Sequence, residues 1–275
     1  MNTLLFRQGG MQVIVPRPQG RSGLPRPVRR LLGPVLLLAV WEGAALAGWV
    51  SPDTLPAPHS LFATCRELAA GGELAHALEA SLARVSIGVV TGLACGIGLG
   101  LLSSLTALGE DLIDGVVHMA RTLPWVGLIP LLIIWLGIEE ASKDALIALA
   151  VFFPVYINLV SGVRQVDPGL IEAGRTLGLS RLGVVRHVLL PGAMPNLLTG
   201  LRYALGSAWL ALVFAEQVNS LNGLGYLINH AREIYRTDII VVCLFIYAFL
   251  GLAADFSIRF LESRLLAWNG AFATS

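Results

Sequence analysis

Hydrophobic residues in this chain come in long runs rather than in alternation. Six stretches approach the roughly 20 apolar residues that a helix needs to cross a bilayer: 31–50, 85–105, 116–138, 145–163, 196–214 and 239–254. Charges inside them are few. Glu42 lies in the first, Arg121 in the third and Arg202 in the fifth, and the sixth extends past Asp255. A membrane β-barrel would show segments of about ten residues in polar–apolar alternation, and none is visible. The pattern predicts an all-α membrane protein with six transmembrane helices. Residues 1–30 read as a flexible cytoplasmic arm, 31–265 as the six-helix domain and 266–275 as a tail.

Smaller residues add detail. Pro52, Pro56 and Pro58 precede an amphipathic pattern from Leu61 to Leu82, which reads as a segment on the outer surface. Gly88, Gly92, Gly96 and Gly100 recur every fourth residue and predict a smooth helix face that another helix can approach closely. Pro124 and Pro130, with Gly127 between them, predict a kinked third span, either a moving gate or a static packing feature.

Composition agrees with a bilayer as solvent. The chain of 275 residues is 55% hydrophobic and 13% charged, with a mean hydropathy of +0.73. Soluble domains carry about 25% charged residues, and disordered chains are polar. A net charge of +1 gives no polybasic face for nucleic acid. Cys65, Cys95 and Cys243 are far apart and show no metal or redox spacing. With the N-terminus inside, twelve arginines fall in inside segments, against four basic residues in outside segments. That bias places both termini in the cytoplasm. Ala45-Leu46-Ala47 resembles a signal cleavage site, but the long Arg-, Pro- and Gly-rich lead before it favours an uncleaved anchor.

The informative segment is the long inside loop, 164–191. Asp167 suits a helix cap with Pro168 at the first position, and Gly178 suits the left-handed residue that closes that helix. Leu170, Ala173 and Leu177 form one apolar stripe. Ser180 caps a second helix that Pro191 is expected to stop. Glu172, Arg175, Arg181 and Arg186 edge the loop. By composition alone this is either a docking knob for a partner or an interfacial helix on lipid headgroups.

The residues EAGRTLG at 172–178, followed after nine residues by VLLP at 188–191, resemble the cytoplasmic signature (the EAA motif) of ATP-binding-cassette (ABC) importer permeases. That pattern is Glu-Ala-Ala, three residues, Gly, nine residues, Ile, any residue, Leu-Pro. Glu172, Ala173, Gly178, Leu190 and Pro191 match it, while Gly174 replaces the second Ala and Val188 the Ile. LPAPHSL at 55–61, residues 122–143 and YINLVSGVRQVDP at 156–168 resemble the branch for aliphatic sulfonates, taurine, nitrate and bicarbonate. Residues 223–242, AD at 254–255 and AWNGAF at 267–272 resemble the aliphatic sulfonate members most.

The resemblance implies a type I ABC importer permease (MetI-like) fold in the bacterial inner membrane, and a transport subunit rather than an enzyme. It implies a permease homodimer, two separate ATPase subunits and a periplasmic or lipid-anchored substrate-binding protein. Glu172, Ala173, Gly174, Arg175, Gly178, Arg181, Leu190 and Pro191 would then couple the permease to the ATPase. The sequence adds one independent argument. A phosphate-binding loop ends in Gly-Lys-Ser/Thr, and the chain's one lysine, Lys143, follows Ser142. No cofactor is therefore expected here, and ATP would be bound by the partner.

Candidates for the translocation pathway are the charges and polar groups at membrane depth. Arg121 is either an anion partner or a residue that snorkels to headgroups or pairs with Asp114. Arg202 is open to pairing within the bundle, and Glu216 to roles as gate, helix end or ligand. Asn158 and Ser161 share a helix face and either line a path or bond neighbouring helices. An intramembrane enzyme finds no HExxH pair, no Ser/His set and no paired carboxylates within spans. The alternatives are a taurine, nitrate or other small-anion permease of the same family and, more distantly, a scaffold or channel without an ATPase.

Overall fold

In the computed structural model, residues 3–8, 11–16, 26–218 and 220–266 are described. The resembling stretch 267–272, and the tail apart from residue 266, lie outside them. The chain divides into two units, Met1–Val50 and Ser51–Ser275. In the first unit, β1 (Thr3–Gln8) and β2 (Met11–Pro16) pair antiparallel, with Leu5 opposite Ile14. A strand pair therefore stands within the stretch expected to be a flexible arm, built from β-favouring residues such as Val13, Ile14 and Val15. Helix α1 (Arg26–Leu46) follows, and its apolar part, Leu31–Leu46, is shorter than the four helices of spanning length that follow it. Gly48, at φ +73°, closes it, with Trp49 N donating to Ala44 O and Gly48 N to Ala45 O.

The second unit begins with α2 (Pro58–Ala70), which ends at Gly71-Gly72, so the amphipathic stretch 61–82 is two helices rather than one. Next come α3 (Glu73–Leu105), α4 (Ala107–Ala120), α5 (Trp125–Leu136), α6 (Glu140–Arg164), α7 (Pro168–Thr176), α8 (Arg181–Gln217), α9 (Leu224–Glu233) and α10 (Thr237–Leu265). Four helices, α3, α6, α8 and α10, are long and apolar enough to cross a membrane. They contain the predicted stretches 85–105, 145–163, 196–214 and 239–254.

The third predicted span is not one kinked helix. α4 and α5 meet at 92°. Pro124 lacks an N–H and sits extended at ψ 101°, so the helix cannot run through it, and a 3-10 turn, Trp125–Leu128, restarts the chain. Pro130 then lies in the first turn of the regular helix, where its missing N–H costs nothing.

Pro191 does not stop the helix that begins at Arg181. A wide π-type turn, Val185–Leu189, accommodates the proline, and α8 runs on to Gln217 as the fifth span. The loop 164–191 is thus one short helix plus the start of a long one, and not two short helices.

α6 is the most buried of the long helices and the axis of the unit. On one side it meets the glycine stripe of α3. A Cβ on Gly88 would lie 2.5 Å from Ile147 Cβ, on Gly92 2.6 Å from Ala148 O, and on Gly96 3.0 Å from Val155 Cβ. Pairing rises in step along both helices, so α3 and α6 run parallel. On its other side α6 meets α8 antiparallel. Gly162 abuts Ala193 and Asn196, and Gly200 abuts Asn158. Leu132, Leu146 and Ala215 fasten α5 to α6 and α8. The apolar side chains of Val90, Leu102, Leu244, Phe249, Leu252 and Phe256 stay exposed. On a membrane helix these are lipid-compatible positions, because lipid is as apolar as leucine.

The α3–α6 contact makes a direct test. Gly92→Val should destabilise the purified protein in detergent by about 1–3 kcal/mol or more, since overpacking here meets backbone. Gly98→Ala, with open space at that Cβ, should leave the thermal midpoint unchanged.

Candidate functional site

At one end of the unit, the α6–α7–α8 junction forms a rigid knob. Asp167 Oδ1 accepts from Gly169 N at 2.8 Å, with Pro168 opening α7. Gly178, at φ +88°, closes α7: Leu179 N donates to Gly174 O and Gly178 N to Arg175 O, both at 3.0 Å. Ser180 Oγ then accepts from Gly183 N at 3.1 Å to start α8. These are the caps that the residue types predict.

Gly174 is buried at the centre of the knob. A Cβ there would sit 3.3 Å from Leu179 Cδ1 and 3.4 Å from Val188 Cγ2. That is tight but open to small adjustment, so the place of Ala in the pattern tolerates Gly. Glu172, Ala173, Arg175 and Arg181 are exposed on the outside of the knob, and Leu190 and Pro191 are half-buried at its base. The apolar stripe of Leu170, Ala173 and Leu177 faces outward, with Leu170 58% and Leu177 84% exposed, and Leu182 beside it is 76% exposed. An apolar surface edged by Glu172, Arg175 and Arg181, held by glycine-tight packing, has the make-up of a protein-docking surface.

The opposite end of the unit is closed by buried charge. Glu216, in α8, has no exposed surface. Its Oε1 accepts from Ser81 Oγ at 2.6 Å and Arg84 Nη1 at 2.7 Å. Its Oε2 accepts from Gly225 N at 2.8 Å and Tyr247 OH at 2.9 Å. Arg84 also donates to Asn222 O at 3.0 Å and to Glu140 Oε1 at 3.0 Å, with further bonds to Glu140 Oε2 and Asn222 Oδ1. Lys143 Nζ donates to Glu140 Oε1 at 3.1 Å. Five helices meet here, α3, α6, α8, α9 and α10. Glu216 therefore sits as an enclosed brace with both oxygens taken.

The other pathway candidates separate clearly. Asn158 donates to Pro154 O at 2.8 Å and packs its Cβ on Gly200, a packing role. Ser161 Oγ accepts from Gln165 Nε2 at 2.9 Å. Arg202 pairs with Glu262 at 2.5 Å and Asp255 at 3.5 Å, beside an apolar cleft of about 550 Å³ between α8 and α10. Arg121 is exposed at the α4–α5 break and its side chain has no ion pair among the described residues. Asp114, its suggested partner, is taken by Arg164 and Tyr156 instead.

Sequence reasoning missed Arg84, Ser81 and Tyr247. Arg84 stands one residue before a charge-free run of 20 or so residues and reads as a span edge. Its signal is that position: an arginine beside an apolar helix with a lone Glu216 at the end of another.

Comparison with known proteins agrees with this architecture. The family described as binding-protein-dependent transport system inner membrane component matches residues 88–267. The putative aliphatic sulfonates transport permease protein SsuC of Escherichia coli (strain K12) is 44% identical over 239 residues, covering 87% of this chain and 91% of that protein. Its namesake in Bacillus subtilis (strain 168) is 38% identical over 245 residues, covering 89% of each. The taurine transport system permease protein TauC of Escherichia coli (strain K12) is 34% identical over 260 residues, covering 92% and 94%. Among solved structures, an amino acid ABC transporter crystallised with histidines shares the fold at TM-score 0.56 and 18% identity, covering 68% of this chain and 92% of that one. The MetNI methionine ABC transporter in an inward-facing conformation does so at TM-score 0.51 and 20% identity, covering 65% and 91%.

The buried brace predicts a ranking of variants. Glu216→Ala should cost about 3–5 kcal/mol, because it leaves Arg84 with a buried charge half compensated. Tyr247→Phe should cost about 1 kcal/mol, one hydrogen bond. Thermal unfolding of the detergent-purified chain reads both, and equal effects would refute the brace.

Proposed function

We propose that this chain, which belongs to the binding-protein-dependent transport system inner membrane components and so is the permease subunit of an ABC importer, carries small aliphatic sulfonates across the inner membrane. The observation that carries the coupling part of this reading is the knob itself. Its glycine-packed interior makes it rigid, and its apolar and charged residues turn away from the bundle. ATP hydrolysis belongs to a separate subunit, and Glu172, Ala173, Arg175 and Arg181 are its contacts.

The loop end lies in the cytoplasm, in line with the excess of arginine in segments on that side. The knob and the Glu216 brace stand at opposite ends of the unit, so the brace faces outward. Each chain carries one knob, so two copies serve two ATPases, each ATPase meeting one knob. A substrate-binding protein supplies the selectivity on the outer side. The sulfonate assignment draws on the names of the two SsuC relatives, with the taurine permease as the next chemistry.

Within the pathway, Arg121 is the residue we assign to the anion. It is a fixed cation with planar donors suited to an oxyanion. It stands exposed at the break between α4 and α5, about 20 Å along α4 from the knob end of the unit. Arg202 is occupied by two carboxylates and Glu216 is enclosed.

Four outcomes test the reading. Glu172→Arg should prevent co-purification of the ATPase while leaving membrane insertion intact. Gly178→Val should do the same through backbone strain at φ +88°, and Gly174→Ala should behave as wild type. A strain deleted for this gene and lacking a paralogue should fail to grow on an alkanesulfonate as sole sulfur source. Normal growth there would refute the substrate, and unchanged ATPase binding in both knob variants would refute the docking surface.

A further inference from the structure

We propose that Arg164 is a positioning residue that carries motion of the docking knob into the broken span α4–α5. This rests on the permease reading above and goes beyond it by naming the link.

Arg164 is the last residue of α6 and stands three residues before Asp167, which caps α7. Its Nη2 donates to Asp114 Oδ2 at 2.8 Å and to Glu110 Oε1 at 3.0 Å. Both carboxylates belong to a π-type turn, Glu110–Asp114, within the first part of α4. The second oxygen of Asp114 accepts from Tyr156 OH at 2.8 Å, and Tyr156 is fully buried in α6. His118 Nε2 stands 4.0 Å from the same oxygen. Below this cluster Val117, Tyr156 and Val160 are buried together, with Ile113, Phe152, Phe153 and Ile157 packed against them.

Beyond its join to α3, where Gly109 is buried against Leu102, α4 is held to the unit along this face. Leu108, Leu112, Val116 and Met119 on its other faces are 59–73% exposed. The position of α4 therefore follows the residues that hold it, and among the described residues Arg164 is the cation of the knob's own connection that pairs with its carboxylates. The other side of that connection is fixed as well. Val166, between Arg164 and the cap, presses on α8, where a Cβ on Gly192 would fall 2.7 Å from Val166 Cγ2.

A second observation marks the same place. Two π-type turns, Glu110–Asp114 in α4 and Val185–Leu189 in α8, flank this junction. Such turns are wider than α-helix, rare, and frequent at functional sites. A load on the knob thus passes through Arg164 to Asp114 and along α4, at whose far end stands Arg121.

The test uses the assembled transporter in proteoliposomes, with its ATPase, its binding protein and a radiolabelled alkanesulfonate. In Arg164→Ala and in the near-isosteric Asp114→Asn, assembly and ATP hydrolysis should persist, while substrate moved per ATP falls about two- to thirty-fold. Arg164→Lys should recover much of the loss. The double variant should be no worse than either single one, because both break one link. Unchanged transport, additive losses, or transport and hydrolysis falling together would overturn the proposal. Failure of the wild-type chain to assemble with an ATPase would instead overturn the permease reading on which it rests.

Discussion

The architecture hangs on how one buried carboxylate is given hydrogen-bond partners inside a chain with 13% charged residues. An ion without partners at Glu216 would be prohibitively costly in a low-dielectric interior. Four donors from three helices, Ser81 and Arg84 of α3, Gly225 of α9 and Tyr247 of α10, offset that cost together. Each donor depends on close helix approach. Arg84 reaches Glu216 because the glycine stripe lets α3 lie against α6 without side chains between the backbones. Gly225 donates its backbone N–H because α9 folds directly over the end of α8, leaving no space for a side chain: a Cβ at that position would meet Glu216 at 2.5 Å. Glycine packing and the ion pair are therefore one device, and neither is useful without the other.

The two ends of the unit contrast in material. The Glu216 end is charge-saturated, with Arg84, Glu140, Lys143 and Asn222 all engaged. The knob end carries the π-type turns, a half-exposed Arg164 and outward-facing leucines. Firm bracing at one end and wide turns at the other are what a transport subunit needs if force enters at the knob. α6 joins the two, with Glu140 at one terminus and Arg164 at the other.

Much of this was legible in the residues. The long apolar runs located α3, α6, α8 and α10, and the spacing of Gly88, Gly92, Gly96 and Gly100 announced the close contact. Asp167, Gly178 and Ser180 cap and turn as their chemistry dictates, because caps are local. What escaped was non-local. Pro191 reads as a stop, and only the π-type turn before it lets α8 continue. The 92° angle at Pro124 exceeds the usual proline kink, since a 3-10 restart and the packing of Leu132 on Leu146 and Ala215 set the direction of α5. Arg84 and Glu216 are 132 residues apart in the chain, so no window over the sequence could join them. Asp114 was a reasonable helical neighbour for Arg121, but Tyr156 and Arg164 bind it from another helix.

The chain's single lysine bears on how an assembly containing it can be mapped. Lys143 is enclosed beside Glu140, with 6% of its surface exposed. Amine-directed reagents thus find no accessible ε-amine on this subunit. Carboxylates such as Glu172 and guanidinium groups such as Arg175 and Arg181 remain reachable on the knob. Lysine-to-lysine cross-linking of the complex would leave this subunit blank however tightly its partners hold it, and its contacts would have to be traced through acidic or arginine-directed chemistry.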